Sequence, residues 1–185
     1  MKRNWWVWAS LIAIFVLALG LGAYFNAQEA LSLQSFVGSD PWYHERVVRV
    51  AQGGHFLLSD PMLNYPVGFN NPRPPLFDLL LAVVAALLTP FLGAEAARFG
   101  TMTFAPAVFG ALLVFPLYLL GKELWGRRSG VLAALFLALT PIFIQGIGAG
   151  DCDHDPMALL LAVTAFLFFV RALKASRTSA RGEMR

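Results

Sequence analysis

The chain has 185 residues, of which 58% are hydrophobic and only 14% are charged, and its formal net charge is +3. Soluble domains usually carry about 25% charged residues, so this composition excludes an ordinary soluble domain and indicates an integral membrane protein. No basic stripe is interleaved with aromatic residues, which argues against a nucleic-acid partner. The single cysteine, Cys152, excludes an intrachain disulfide and a cysteine-rich metal site.

The first segment is typical of a membrane anchor. Lys2 and Arg3 form a basic head, and a cluster of tryptophans follows at the depth of the membrane interface. The apolar run over residues 5–25 is long enough to cross a bilayer, which takes about 20 residues. A cleaved signal peptide is the alternative, but the tryptophans and the length of the run favour a retained span. The basic head is then cytoplasmic, and the chain from residue 26 onward lies outside.

A polar segment rich in proline and glycine follows, over residues 26–75. It is too long for a simple connection, and loops of this kind are usually functional. A short helix is predicted within it, from Glu45 to Ala51. The segment contains three motifs: Ser39-Asp40-Pro41-Trp42-Tyr43-His44-Glu45-Arg46, Asn64-Tyr65-Pro66-Val67-Gly68 and Asn71-Pro72-Arg73-Pro74-Pro75.

Charge placement decides the predicted topology of the remaining apolar runs. If every run crossed the membrane, the loop with Lys122, Arg127 and Arg128 and the basic tail would lie outside, against the positive-inside rule. If the run 76–92 does not cross, every basic cluster is cytoplasmic, and this run is short and carries Asp78 and Pro90. The prediction is an all-α polytopic membrane protein with four transmembrane helices and one external or re-entrant helix, and five spans are the alternative. Its parts are spans at about 5–25, 102–120, 131–147 and 157–170, an external loop over 26–101, the helix over 76–92, and a cytoplasmic tail over 174–185.

An acidic loop, with Asp151, Asp153, His154 and Asp155, separates the last two runs. Ionisable residues at the end of a membrane helix are a functional-site hypothesis by default. One aspartate before an apolar run is a common N-cap, but three in alternation exceed what a cap needs. Asp-x-Asp offers the oxygen ligands that Mg²⁺ or Mn²⁺ prefers. The predicted topology places this loop and Asp40 on the same external side, where they can share one cation.

These motifs together resemble the catalytic subunit of oligosaccharyltransferases, in its eukaryotic STT3, archaeal AglB and bacterial PglB forms. Residues 39–46 resemble the family's first acidic motif, and residues 149–155 resemble its second, Asp-x-Asp/Glu motif. Residues 65–68 and 74–76 look like the later part of the first external loop. The resemblance covers residues 1–173 and implies the N-terminal part of a GT-C type glycosyltransferase.

The resemblance implies an activity and roles for individual residues. The family transfers a glycan from a polyprenyl-(pyro)phosphate carrier to Asn in Asn-x-Ser/Thr of an acceptor polypeptide, with Mn²⁺ or Mg²⁺, on the extracytoplasmic side of the cell membrane. Asp40 is expected to be a catalytic residue that contacts both the metal and the acceptor amide. Asp153, also catalytic, and Asp155 are expected to be metal ligands. Asp151 is the alternative ligand if the second motif is aligned with a shifted register. His154 is expected to contact the ligands rather than to bind the metal itself.

Several neighbouring residues have weaker claims to the site. Trp42 and Tyr43 are expected to stack on sugar or line the carrier groove, although aromatic anchors at the membrane surface have the same pattern. Arg46 is expected to meet phosphate or to pair with a nearby acid such as Glu45 or Asp40.

Two features depart from the family pattern. Members often carry an arginine shortly before the second motif, where this chain has Gln145, Gly146 and Ile147. Members also continue much further, with a late external loop and a soluble sequon-binding domain. The chain is therefore expected to be the N-terminal part of such an enzyme, with a complementing C-terminal fragment or subunit among its partners. Arg73, beside two prolines, is expected to snorkel to the membrane interface.

Two other functions remain open from the sequence. One is another polyprenyl-phosphate-sugar transferase, such as a protein O-mannosyltransferase or a lipid-A aminosugar transferase. The other is a non-enzymatic membrane subunit whose external acids bind a cation. The second Asp-x-Asp, after a later span, favours oligosaccharyltransferase over both.

Overall fold

The computed structural model describes residues 5–55, 57–70 and 73–183, and for residues 177–183 it describes the backbone alone. Its regular structure is helical apart from one short antiparallel ladder, so the predicted all-α class is confirmed. Lys2, Arg3 and Arg185 of the predicted basic ends lie outside the described residues. The elements are α1 (Trp5–Tyr24), α2 (Ala27–Leu33), α3 (Asp40–Gln52), β1 (Ser59–Asp60), β2 (Phe69–Asn70), α4 (Leu76–Leu92), α5 (Ala94–Leu112), α6 (Val114–Trp125), α7 (Arg127–Leu139), α8 (Pro141–Gly146) and α9 (Asp155–Glu183).

Within the described residues, three stretches are long and apolar enough to cross a membrane: Trp5–Tyr24, Ala94–Trp125 and Asp155–Ser176. They correspond to three of the four predicted spans. The fourth, predicted over 131–147, is divided between α7 and α8. Thr140 is extended there, with φ −73° and ψ 119°, because the residue before a proline is disfavoured in the α conformation. The count of four spans and the external placement of α4 therefore stay predictions.

The chain folds as two compact units, and the first comprises Met1–Phe25, Pro106–Gly148 and Asp155–Arg185. One face of α1 is buried against α6 and α7. Small residues let the helices approach closely, as is usual between membrane helices, where packing rather than water exclusion drives association. The buried core consists of Val7, Leu11, Ile14, Ala18, Ala111, Val114, Tyr118, Ala134 and Ala138.

The second unit comprises Asn26–Ala105 and Ala149–His154. Its central helix, α3, begins with Asp40 and Pro41, and proline suits this position because its missing N–H would have no helical partner. The buried face of α3 repeats at helical spacing, and its far end joins α4 through a 2.9 Å hydrogen bond from Gln52 Nε2 to Thr89 Oγ1. The unit therefore brings the external loop and the acidic loop into one body.

Cysteine labelling tests the predicted cytoplasmic position of the α6–α7 turn. The side chain of Trp125 is 75% exposed, whereas Cys152 is fully buried, so a cysteine introduced at position 125 would be the accessible thiol. We expect Trp125→Cys to resist a membrane-impermeant maleimide in intact cells and to react after permeabilisation. Leu58→Cys, at an exposed position of the external loop, should react in both cases and serves as the control. Labelling of Trp125→Cys in intact cells would contradict the four-span arrangement.

The contact between α6 and α7 is tested by adding one methyl group. A Cβ on Gly130 would lie 2.5 Å from the carbonyl oxygen of Tyr118 and 2.9 Å from the nitrogen of Lys122. Overpacking of this kind costs about 1–3 kcal/mol, more than the gain of about 1 kcal/mol from replacing a helical glycine by alanine. We expect Gly130→Ala to lower the Tm in detergent. Gly20→Ala, where no described atom lies within 4 Å of the new Cβ, should leave the Tm unchanged or higher.

Candidate functional site

Helix α3 supplies the first part of the site. Asp40 begins the helix and its side chain is 52% exposed, while His44, one turn later on the same side, is buried. Burial of an imidazole requires a polar partner, since an unpaired polar group in the interior is unfavourable. That partner is Asp78, whose Oδ1 lies 2.6 Å from His44 Nδ1.

Asp78 comes from the first turn of α4, and only 1% of its surface is exposed. The sequence-based site does not include either member of this pair. Two features of the sequence point to these residues. His44 lies four residues after Asp40, and Asp78 is a carboxylate in the otherwise apolar helix α4. Neither signal identifies the pairing, because the two side chains are distant in sequence.

The second acidic motif is fixed by its glycine. Gly150 has φ +84°, a conformation that favours glycine, and a Cβ there would lie 2.8 Å from Ala30 Cβ. Its N–H donates to the Thr103 carbonyl at 2.9 Å, and its own carbonyl accepts from the Val37 N–H at 3.0 Å. The loop that follows Gly150 therefore has a defined position within the second unit.

This loop brings Asp153 and His154 to His44. Asp153 Oδ1 lies 3.5 Å from His44 Nε2 and 2.5 Å from His154 Nδ1, and the two imidazole rings are 5.7 Å apart. We call His44, Asp153 and His154 the His-Asp cluster. Their ligand atoms all lie within 4.8 Å of one another, whereas ligands at about 2.1 Å from one ion lie within about 4.2 Å of one another. Small side-chain rotations therefore suffice for the three to share a cation.

Electrostatics keep the acid of this cluster charged. Burial by itself raises the pKa of Asp153, but the backbone N–H of His154 and the two nearby imidazoles outweigh it and hold the pKa below its usual range. Cys152, between the acids, behaves in the opposite way. Its burial, together with Asp78, Asp153 and Asp151, raises the pKa of the thiol, so Cys152 is protonated at neutral pH.

Arg73 links Asp40 to the cluster. Its Nη2 lies 3.6 Å from Asp40 Oδ1, and its Nη1 lies 3.2 Å from His44 Nε2. The guanidinium also stands 4.7 Å from the centre of the Tyr43 ring, a cation–π distance. Arg73 therefore lies at the site, where its two terminal nitrogens contact Asp40 and His44, and does not have the snorkelling position expected from the sequence.

The remaining predicted site residues are placed as follows. Trp42 is half exposed and packs edge-on against Phe36, with 5.4 Å between ring centres. The carboxylate of Asp151 faces the backbone of Gly38, since a Cβ there would lie 3.7 Å from Asp151 Oδ1. Asp155 is exposed and begins α9, in the first unit.

Arg46 has an acid partner, but not one of those named from the sequence. Its guanidinium donates two hydrogen bonds to Asp60, from Nε at 2.7 Å and from Nη2 at 2.8 Å. Glu45 instead accepts from Arg49 and Arg98. A role for Arg46 toward phosphate stays a prediction, and its observed contact stabilises the external loop.

A family model assigns the chain. The model described as "Oligosaccharyl transferase STT3, N-terminal" matches residues 8–182. The chain belongs to the STT3 oligosaccharyltransferase family. The resemblance drawn from the acidic motifs is thereby confirmed.

Relatives within this STT3 family include archaeal and eukaryotic proteins. Dolichyl-phosphooligosaccharide-protein glycotransferase 3 of Archaeoglobus fulgidus is 31% identical over 73% of this chain and 16% of its own length. Dolichyl-monophosphooligosaccharide–protein glycotransferase AglB of Haloferax volcanii is 36% identical over 71% of this chain and 13% of its own length. The chain therefore spans a small part of the relatives it matches.

Solved structures show the same fold. The Archaeoglobus fulgidus oligosaccharyltransferase in its apo form superposes with a TM-score of 0.74 at 25% identity, over 92% of this chain and 20% of that one. A structure of the same enzyme in complex with Zn and sulfate gives a TM-score of 0.71 at 24% identity, over 88% and 21% of the two chains. The helical membrane architecture of this STT3-family chain is thus shared with a known oligosaccharyltransferase.

The Arg46–Asp60 pair makes a prediction about stability and pH. The hydrogen bonds from Arg46 hold the pKa of Asp60 below its ordinary value of about 3.9. The pair therefore stabilises the fold above that pH, and the stabilisation is lost as the pH falls through the folded-state pKa. We expect Arg46→Met to reduce the free energy of unfolding at pH 7 by about 1–3 kcal/mol, because a buried carboxylate loses its partner.

The difference in stability from the parent protein should narrow as the pH falls, first where the buried Asp60 becomes protonated in the variant and then down to its lower pKa in the parent. Thermal unfolding between pH 7 and pH 3 measures this. Arg49→Met is the matched control, since Arg49 is exposed and its partner Glu45 keeps Arg98. A loss of stability that is equal at all pH values would contradict the assignment.

Proposed function

We propose that this chain provides the cation-binding and acceptor-binding part of a membrane glycosyltransferase in protein N-glycosylation. The reaction transfers a glycan from a polyprenyl-(pyro)phosphate carrier to the side-chain amide of Asn in an Asn-x-Ser/Thr sequence. Family membership supports the proposal, as do the names of the relatives, which are oligosaccharide-protein glycotransferases. The site would face the extracytoplasmic side of a cell membrane, with the four spans predicted from the sequence.

One observation carries the proposal. The first and second acidic motifs, far apart in sequence, meet at His44 within the second unit. Asp153 lies 3.5 Å from His44 Nε2, and Arg73 connects the same nitrogen to Asp40 at 3.2 Å and 3.6 Å. A solvated capping loop would not bring Asp153 to a buried imidazole of the first motif that Arg73 also joins to Asp40, so the arrangement favours a built site.

The donors in this region fit a divalent cation. Asp153 is an ionised carboxylate, and two imidazoles lie beside it, which are ligands for Mn²⁺ and for Zn²⁺. We propose Mn²⁺ or Mg²⁺, held by Asp153 with Asp40 and Asp155 as the further ligands that the sequence predicts. When bound, such a cation acts as a Lewis acid and neutralises charge on the leaving phosphate.

The residues of the chain have separate tasks in this reaction. The acceptor amide nitrogen is a poor nucleophile because its lone pair is delocalised into the carbonyl. We infer that Asp40, which is exposed at the start of α3, accepts hydrogen bonds from the amide N–H groups and orients them. We infer that Arg73, beside Asp40, pairs with phosphate oxygens of the carrier. Trp42 and Tyr43 offer aromatic surface for a sugar ring.

Alanine variants test the shared site. Each variant is measured in native membranes, where it replaces the native protein. We expect Asp40→Ala and Asp153→Ala each to reduce glycan transfer to an Asn-x-Ser/Thr peptide by at least tenfold. The double variant should be little worse than either single one, because residues that act as a unit are not additive. Mn²⁺ affinity, measured on the purified chain in detergent, should fall in each single variant and fall little further in the double variant.

Glu29→Ala is the control, since Glu29 is an exposed acid of the same unit. It should leave transfer and Mn²⁺ affinity unchanged. Additive losses for Asp40 and Asp153, or an unchanged affinity in either single variant, would count against a shared site.

A further inference from the structure

We propose that His44 is an additional ligand of the cation site and that Asp78 is the positioning residue that prepares it. The inference rests on the proposed function for the presence of a cation, but it adds a histidine of the first motif, to which the sequence assigns no role, and an aspartate that lies outside both motifs. It also predicts which cations the site prefers. All of its residues belong to the second unit, on α3, α4 and the Ala149–His154 loop.

Hydrogen bonding determines which nitrogen of His44 carries the proton. Asp78 Oδ1, a carboxylate oxygen, accepts a hydrogen bond from Nδ1 at 2.6 Å. Arg73 Nη1 lies 3.2 Å from Nε2, and a guanidinium only donates. A proton on Nε2 would point at another N–H group, so Nε2 presents its lone pair. The lone pair is the form of imidazole that binds a metal ion.

Burial makes this arrangement rigid. His44 and Asp78 are each 1% exposed, so water does not compete for their hydrogen bond. Phe77 packs edge-on against the imidazole, with 5.1 Å between ring centres, and limits its rotation. An aspartate that holds the far nitrogen of a ligating histidine is a recurrent device in metal sites, because it fixes the tautomer and makes the ligand more basic.

Nε2 of His44, the nitrogen that does not face Asp78, lies near the other metal-binding atoms of the cluster. Nε2 of His44 lies 3.5 Å from Asp153 Oδ1, and the donor atoms of His44, Asp153 and His154 are all within 4.8 Å. Arg73 is one-third exposed, so its guanidinium can turn from Nε2 toward an anion in solvent. The positive charge of Arg73 and that of a bound cation then do not compete for one lone pair.

A nitrogen ligand alters metal preference. Mg²⁺ binds oxygen ligands almost exclusively, whereas Mn²⁺ accepts imidazole and Zn²⁺ or Co²⁺ favours it. His44 is thus expected to make the site select Mn²⁺ over Mg²⁺, which carboxylate ligands alone would not do. Loss of His44 should weaken Mn²⁺ binding more than Mg²⁺ binding.

Pulsed EPR of Mn²⁺ bound to the full chain in detergent tests this directly. With ¹⁵N-histidine in the protein, a coordinated imidazole gives a nitrogen coupling that an oxygen-only site lacks. We expect this coupling in the parent protein and expect His44→Gln to remove the His44 contribution. Asp78→Asn, which keeps the size of the side chain, should reduce that contribution and raise the Kd for Mn²⁺ by about 10- to 100-fold, the usual effect of losing a partner of a ligating histidine.

His55→Gln is the matched control, since His55 is an exposed histidine of the same unit and contacts the Gly53 carbonyl. It should leave the coupling and the Kd unchanged. If His44→Gln does not fold, as judged by circular dichroism, Asp78→Asn decides the question. Mn²⁺ bound with oxygen couplings alone would overturn the role of His44 while leaving the cation site of the proposed function intact. A parent protein that binds no Mn²⁺ would overturn both.

Discussion

A carboxylate buried in an apolar helix needs a partner, and in this chain that requirement organises the site. Asp78 lies in the first turn of α4, where it is 1% exposed, and its partner is His44 of α3. Breaking a buried pair of this kind by removing one member is strongly unfavourable. The pairing therefore fixes α3 against α4 at the end of the helix where Asp40 begins, and the same imidazole then receives the second acidic motif through Asp153.

Backbone hydrogen bonds fix the position of the acidic loop that carries Asp153. The acidic loop comes from a distant part of the chain, and its position depends on Gly150, which adopts φ +84° and bonds to Thr103 and Val37. A larger residue at 150 would collide with Ala30. The backbone turn at Gly150, which glycine adopts without strain, thus decides which acid lies next to His44. The alternation of acids leaves Asp151 and Asp153 equivalent by composition, and the loop geometry makes Asp153 the member of the cluster.

Sequence reasoning reached the acids of the site and missed the groups between them. Asp40 and Asp153 stand out because charged residues beside apolar runs are unusual and because their motifs resemble a family. His44, Asp78 and Arg73 do not stand out, since their roles come from contacts between residues far apart in the chain, which local spacing does not encode. The same limit explains the fourth predicted span. Hydropathy gives a continuous run over 131–147, while the backbone preference before Pro141 divides it.

The His-Asp cluster is built within one unit, and this affects how its function can be studied. The relatives are several times longer than the part of them that this chain matches. His44, Asp78, Asp153 and His154 all belong to the second unit, so the geometry of the cluster is set within it. Measurements of metal affinity and metal preference therefore test the proposed cluster directly, and they do so separately from glycan transfer.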